Sequence, residues 1–197
     1  MKKLSLYQIR DAALDSGRTV FSIQQLSNLI SKPRTIVTVY SARLVNRGLA
    51  SRVLKGRISF EKDDLVIATQ LIEPSYVSLD SALLFHGIVT QITKNTECVT
   101  TRNSINYKGL GIRYHKIPKK LFFGYKRYSR GKSYTFVAEP AKALVDGLYL
   151  NIYSKKELAE YMDKLDRLRL KILIKQFNGR GSKKIRKVIE SSTKHSY

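Results

Sequence analysis

The sequence predicts an α+β fold in two domains, and two changes of residue pattern carry this prediction. Over about the first 50 residues apolar positions recur at helical spacing, whereas Thr96 to Ala138 is rich in β-branched and aromatic residues with a period near two. Helical spacing returns after Pro140. We therefore expect an N-terminal domain of residues 1–70 and a C-terminal domain of residues 71–197, the second with a small, mainly antiparallel sheet flanked by helices.

The composition is that of a folded, strongly basic protein. Of 197 residues, 43% are hydrophobic, and the formal net charge is +22. This charge favours a polyanionic partner, above all nucleic acid. Apolar runs are too short for a membrane helix or a signal peptide, so we expect a cytoplasmic protein without a membrane partner. Cys98 is the only cysteine, which excludes an internal disulfide and a cysteine-cluster zinc site.

Two helices are predicted in the first 30 residues. The first contains Leu6, Ile9, Ala13 and Leu14 and ends near Gly17. The second starts after Ser22, which forms a capping-box pattern with Gln25. Its predicted buried stripe is Ile23, Leu26, Leu29 and Ile30.

A third helix and a basic hairpin follow. The turn is Lys32–Pro33, and Gly48 ends the helix. The predicted hairpin joins 50–54 to 58–60 through a turn with two cations around a glycine. The predicted inner face of the helix is Val37, Tyr40, Leu44 and Val45.

This order of elements is typical of a winged helix-turn-helix, whose second helix enters the DNA major groove. Arginine reaches guanine edges or phosphates, and hydroxyl side chains bind either. Use of the same fold for protein contacts is the alternative. The predicted DNA-binding residues are Lys32, Arg34, Thr35, Thr38, Ser41, Arg43, Lys55 and Arg57.

In the second domain Ser78 is a predicted N-cap for a short apolar helix that ends at Gly87. Another helix opens at Glu139–Pro140. Strands are predicted at 96–101, 112–117, 121–125 and 134–138, and two further helices at 155–177 and 183–192.

Two long motifs of this domain resemble those of the AbiEi-type antitoxin family. They are YVSLDSALLFHG at 76–87 and AEPAKALVDGLY at 138–149, and between them YHKI at 114–117 and LFFG at 121–124 match the family's strand pair. With the N-terminal module in front, the resemblance covers nearly the whole chain. Ala141 and Gly147 depart from the usual pattern. The motif residues singled out are Ser78, Ser81, His86, Gly87, Glu139, Pro140, Lys142 and Asp146.

The resemblance implies a protein with two roles in phage defence by abortive infection. Its winged helix would bind double-stranded DNA at its own promoter, at inverted repeats, and repress its own operon. Its C-terminal domain would counteract a nucleotidyltransferase-type toxin, and the family does not require a stable complex between the two proteins.

The residues do not assemble into a predicted active site, so we expect no enzyme and no cofactor or metal. The favoured interpretation of His86 is structural. His115 lies in a predicted strand and His195 in the C-terminal tail, so the three histidines offer no ligand cluster. Glu139 is favoured by the dipole of the helix that it precedes, and Asp146 is expected to pair with a nearby cation.

The C-terminus carries the densest positive charge, with 11 Lys and Arg against 2 Asp and Glu in residues 164–197. We expect a second nucleic-acid surface there, for operator DNA or an RNA. An apolar stripe of Leu165, Leu168, Ile172, Leu173, Ile185 and Val188 accompanies it. The predicted basic residues are Arg167, Arg169, Lys171, Lys175, Arg180, Lys183, Lys184, Arg186 and Lys187.

Two alternatives to the autorepressing antitoxin stay open at this point. One is a transcription regulator without a toxin, in which the second domain senses or dimerises. The other is a divergent nuclease that uses Glu139 and Lys142 and is targeted by the winged helix.

Overall fold

The computed structural model describes residues 4–154, 157, 160–162 and 164–176, and it is a mixed α+β structure. The chain divides into two compact units. The first comprises residues up to Glu73 together with Arg127–Phe136, and the second comprises Pro74–Lys126 and the chain from Val137 onward. The sequence prediction assigns Arg127–Phe136 to the C-terminal domain instead. No local pattern in the sequence marks this segment as one that packs with residues far away in the chain.

The first unit contains four helices and a three-stranded antiparallel sheet of order β1–β3–β2. The predicted helices and hairpin are present, whereas the sequence analysis missed β1, which is only three residues long, and α4, which is too uniformly buried to show a period. The elements are α1 (Leu6–Asp15), β1 (Val20–Ser22), α2 (Ile23–Ile30), α3 (Arg34–Asn46), β2 (Ser51–Leu54), β3 (Arg57–Ser59) and α4 (Asp64–Leu71).

Local signals set the boundaries of α2 and α3. The Ser22 hydroxyl accepts from the Gln25 N–H and the Gln25 side chain accepts from the Ser22 N–H, so the predicted capping box is confirmed. Ser31 has φ of 50°, and α3 begins at Arg34. After α3, Gly48 adopts φ of +67° and allows the chain to turn back, as predicted.

The apolar faces of these helices form the core of the first unit. One expectation is wrong: Leu29 is 37% exposed, because the apolar face of α2 is narrower than the predicted stripe. The core residues are Ile9, Ala13, Phe21, Leu26, Ile30, Val37, Leu44 and Ile58.

Buried Gln70 of α4 joins three parts of the first unit. Its carbonyl oxygen accepts from the backbone N–H groups of Thr19 and Val20 at 2.9 and 3.2 Å. Its amide nitrogen donates to the hydroxyl of Ser133 at 2.9 Å. Because each of these buried polar groups is satisfied, Gln70 fixes the segment Arg127–Phe136 in this unit.

The strands of the second unit belong to a six-stranded sheet of order β6–β7–β5–β4–β9–β8, in which residues 127–136 of β8 and β9 are the segment assigned to the first unit. The predicted sheet is present but mixed, because β4 pairs with β9 and β5 pairs with β7 in parallel. The β4–β5 and β6–β7 pairs are antiparallel. The strands are β4 (Ser75–Val77), β5 (Thr96–Thr100), β6 (Ile105–Tyr107), β7 (Ile112–Lys116), β8 (Tyr125–Arg130) and β9 (Ser133–Ala138).

Three helices of this unit are described: α5 (Leu79–Phe85), α6 (Pro140–Tyr149) and α7 (Arg167–Gln176). Helix α5 packs against α6 and β5, and α6 packs against α7. Pro140 occupies the first turn of α6, as predicted. None of the helices in the described ranges is long and apolar enough to cross a membrane.

Two predicted elements of the second unit are wrong. The predicted strand 121–125 is displaced: a 3₁₀ turn occupies Lys119–Leu121, and β8 begins only at Tyr125. The predicted helix 155–177 is not continuous, since Asp166 caps the N-terminus of α7 by accepting from the N–H groups of Leu168 and Arg169. The predicted helix 183–192 lies outside the described residues.

Candidate nucleic-acid interface and a buried polar cluster

Helix α3 exposes a mixed basic, hydroxyl and apolar face. Burial of Val37 and Leu44 sets its rotation. The side chains of Arg34, Thr35, Thr38 and Arg43 are then exposed, as predicted. Two aliphatic residues accompany them, Ile36 at 41% and Val39 at 49% exposed. Such a face offers cations for phosphates and guanine and apolar groups for thymine methyls.

No carboxylate offsets the charge of this region. Residues 16–60 contain eight Lys and Arg and no Asp or Glu. Three of the unit's acidic side chains pair with cations elsewhere: Asp15 with Lys132, Asp63 with Arg130 and Glu73 with Arg18. In the described part of the chain, five cations of this stretch form neither an ion pair nor a side-chain hydrogen bond: Arg34, Arg43, Arg47, Arg52 and Lys55. The surface therefore carries an uncompensated positive potential.

Two predicted contact residues do not present a free group at this surface. Ser41 is only 4% exposed, so its assignment to the outer face is wrong, because it lies between the inward positions Val37 and Leu44. The Thr38 hydroxyl is exposed but donates to the carbonyl of Arg34 at 2.9 Å. Lys32 is half-buried, and Lys55 is exposed at the hairpin turn as predicted.

Arg57 is anchored within the first unit rather than displayed at the hairpin tip. Its guanidinium donates to the carbonyl oxygen of Leu71, at the end of α4, at 2.6 Å. The half-buried side chain thus satisfies a helix C-terminal carbonyl, which is a structural role. The assignment of Arg57 as a DNA contact is corrected accordingly.

Substituting Arg57→Ala is expected to lower the free energy of unfolding by about 1 to 2 kcal/mol, because a hydrogen bond from a charged donor is lost. Urea denaturation followed by circular dichroism measures this change. The matched control is Arg52→Ala, on the neighbouring strand, whose exposed side chain forms no ion pair in the described chain. Equal stability of the two variants would contradict the anchoring role.

Arg47 and Arg52 belong to the same basic surface, although the sequence analysis did not select them. Arg47 lies in the turn that ends α3, and Arg52 is exposed on β2. Arg47 also lines a cavity of about 480 Å³ with Arg43 and Asn46. The acid-free run of sequence was the available signal for both residues.

The motif residues of the second unit form a buried polar cluster. The Lys142 ammonium pairs with Asp146 one helical turn later, and the two side chains are 0% and 1% exposed. The other carboxylate oxygen of Asp146 accepts from the hydroxyls of Tyr76 at 3.0 Å and Ser78 at 2.8 Å. Ser78 is therefore not a side-chain cap for α5, as its position had suggested. The cluster joins the two motifs, one from each end of the unit's sequence.

Aromatic rings and a glycine enclose the cluster. The Lys142 ammonium lies 5.6 Å from the ring centroid of Tyr76 and 5.2 Å from that of Phe123. A Cβ on Gly124 would lie 3.0 Å from the Lys142 stem. Burial, and then the charge of Asp146, raise the pKa of Tyr76, so its hydroxyl keeps the proton that it donates. The cluster is closed to solvent, which suits packing rather than substrate binding.

The remaining motif residues position turns and strands. The Ser81 hydroxyl accepts from the Glu97 N–H at 2.9 Å, and a ring nitrogen of His86 bonds the Ala138 carbonyl at 2.9 Å. Gly87 takes φ of +70° at the end of α5. A structural role for His86 accords with this bond. In the described residues no group of three or more His, Cys, Asp or Glu is arranged to hold a metal ion.

An acid-rich cavity of about 640 Å³ lies beside this part of the second unit. Its carboxylates include Asp80 and Glu97. Burial raises the pKa of Asp80. Glu97 is engaged by His115 at 2.5 Å and by Arg113 at 3.6 Å. These contacts make Glu97 part of an ion-pair group on β5 and β7 rather than a free ligand.

The predicted C-terminal basic surface is only partly described. Arg169 forms a two-point ion pair with Glu139, at 2.6 and 2.9 Å, which lowers the pKa of that carboxyl. Lys171 and Lys175 are exposed. Of the apolar stripe, Leu168 and Ile172 are 68% and 39% exposed, whereas Leu165 and Leu173 are buried. Outside the described part lie the side chain of Arg167 and residues Arg180, Lys183, Lys184, Ile185, Arg186, Lys187 and Val188.

No protein-family model matches the sequence, and no curated protein matches it.

Proposed function

We propose that the first unit is a winged helix-turn-helix that binds duplex DNA through α3. The order α1–β1–α2–α3–β2–β3 and the three-residue turn Ser31–Pro33 between α2 and α3 support this assignment. The observation that carries it is the basic face of α3, which no carboxylate of the described chain neutralises. Phosphate neutralisation dominates protein–DNA affinity, so a surface of this kind favours DNA over a protein partner.

We propose further that the protein is an antitoxin, which represses its own operon and counteracts a nucleotidyltransferase-type toxin. Two motifs that resemble the AbiEi-type family support it. Their polar residues, Ser78, Lys142 and Asp146, form one buried cluster rather than scattered surface positions. The two motifs thus contribute to one structural feature of the domain.

Arg34→Ala and Arg43→Ala are each expected to weaken binding to the DNA upstream of the coding sequence by about tenfold, because each removes a phosphate or base contact. Neither change should lower the melting temperature, since both side chains are exposed. Fluorescence anisotropy at fixed salt measures the affinity.

The matched control is Arg10→Ala on α1, where the arginine pairs with Asp11. Wild-type affinity in both α3 variants would overturn the assignment of α3 as the DNA-reading helix. The antitoxin role is tested separately by co-expressing the chain with an adjacent nucleotidyltransferase gene. Growth arrest that the full chain does not relieve would contradict that role.

A further inference from the structure

A second basic region of the chain lies on the outer part of the six-stranded sheet. Residues 98–126 of the second unit contain seven Lys and Arg and no Asp or Glu. Four of these cations are exposed close to the end of β7 and the start of β6: Arg102, Lys116, Lys119 and Lys120. Together with Asn103 and Ser104, we call them the β6–β7 patch.

Hydrogen bonds hold the patch together. The Lys116 ammonium donates to the side-chain carbonyl of Asn103 at 3.1 Å, and the Lys116 N–H donates to the Ser104 hydroxyl at 2.9 Å. The N–H of Ile117 donates to the Thr100 carbonyl at 2.9 Å, which brings the segment with Lys119 and Lys120 beside the end of β5. The cations therefore share one end of the sheet although they are far apart in sequence.

Apolar and aromatic side chains continue the patch along the edge strand. Ile105 and Tyr107 lie on the same face of β6, because side chains two residues apart in a strand share a face. Ile105 pairs with Tyr114 of β7, so Lys116, two residues after Tyr114, lies on that face as well. Ile105 is 40% exposed, and the half-buried Tyr107 ring stands edge-on against Tyr114, with centroids 6.1 Å apart. Cations at one end and a partly exposed ring along the edge are the two elements of a single-strand binding platform.

We propose that the β6–β7 patch binds single-stranded RNA, separately from the DNA surface of α3. Its lysines would contact the phosphates, and its edge strand would accept an unstacked base against Tyr107. A duplex is a poorer fit, because the patch has no helix or protruding hairpin to enter a groove. Charged side chains on an edge strand can prevent it from pairing with another chain. This role does not account for the patch, because β6 itself carries no cation.

The test uses the full chain and a fluorescein-labelled oligouridine of about 12 nucleotides, a length within the site sizes of single-strand binders. The variant K116Q/K119Q/K120Q should bind this RNA about tenfold more weakly and reduce the log–log salt slope by about 2, at ~0.7 for each phosphate contact. Its affinity for upstream duplex DNA should stay at the wild-type value. A single charge reversal, Lys120→Glu, should weaken RNA binding in the same direction.

The reciprocal control is R34Q/R43Q/R52Q, which removes the same number of charges from the first unit. It should weaken DNA binding and leave RNA binding intact. The proposal is overturned if wild-type protein does not bind the RNA at low salt, or if the two triple variants weaken RNA binding equally. Loss of DNA binding in the K116Q/K119Q/K120Q variant would also overturn it, because the patch would then belong to the DNA surface. Unchanged melting temperatures establish that these exposed substitutions leave the fold intact.

Discussion

Replacing Lys142 by methionine is expected to lower the free energy of unfolding by about 3 to 5 kcal/mol. The side chain is fully buried, and its ammonium is the charged partner of Asp146. Methionine fills much of the same volume, so the loss is mainly electrostatic: a carboxylate would remain in the protein interior without its counter-charge. Chemical denaturation followed by far-ultraviolet circular dichroism measures the change.

The double variant K142M/D146N separates charge from packing. An asparagine carbonyl still accepts from the hydroxyls of Tyr76 and Ser78, while the uncompensated charge is gone. We therefore expect the double variant to be more stable than K142M alone. A double variant as unstable as the single one would show that the Lys142 side chain acts through its shape. A loss below about 1 kcal/mol in K142M would contradict the importance of the pair.

Sequence reasoning anticipated part of this cluster. A nearby cation was expected as the partner of Asp146, although Lys142 was not named as that cation. The hydroxyl partners were not foreseeable, because Tyr76 and Ser78 are about 70 residues away and reach Asp146 only through the sheet. The parallel pairing of β4 with β9 brings about that approach, and strand pairing leaves no local mark in the sequence.

The errors at the proposed DNA surface have a different cause. Amphipathic spacing identified α3 and most of its exposed positions. Ser41 was predicted on the outer face of the helix, whereas its side chain is buried on the inner face. Arg57 is at the hairpin turn as predicted, yet its side chain is long enough to reach the carbonyl of Leu71 instead of solvent. The positions of Lys and Arg in the sequence therefore identify a basic helix or hairpin. The direction in which each of these side chains points depends on hydrogen-bond acceptors in other elements of the fold.

Gly147→Ala is expected to destabilise the second unit by about 2 kcal/mol, although alanine favours a helix by ~1 kcal/mol over glycine. After α6, Asn151 takes φ of 55° and the N–H of Ile152 donates to the Gly147 carbonyl, which turns the chain back over the helix. The Tyr153 ring then packs directly on Gly147. An added Cβ would lie 2.0 Å from a ring carbon, so the ring or the helix must move.

The background Tyr153→Ala reverses the sign of this effect. Without the ring, the Cβ of residue 147 has space, and the helix preference for alanine should make G147A/Y153A more stable than Y153A by up to ~1 kcal/mol. A urea-denaturation cycle of the four proteins measures both values. Destabilisation by Gly147→Ala in both backgrounds would mean that the glycine serves the helix itself. Gly147, which departs from the usual motif, is thus explained by the Tyr153 ring, which packs back on α6 from beyond the end of that helix.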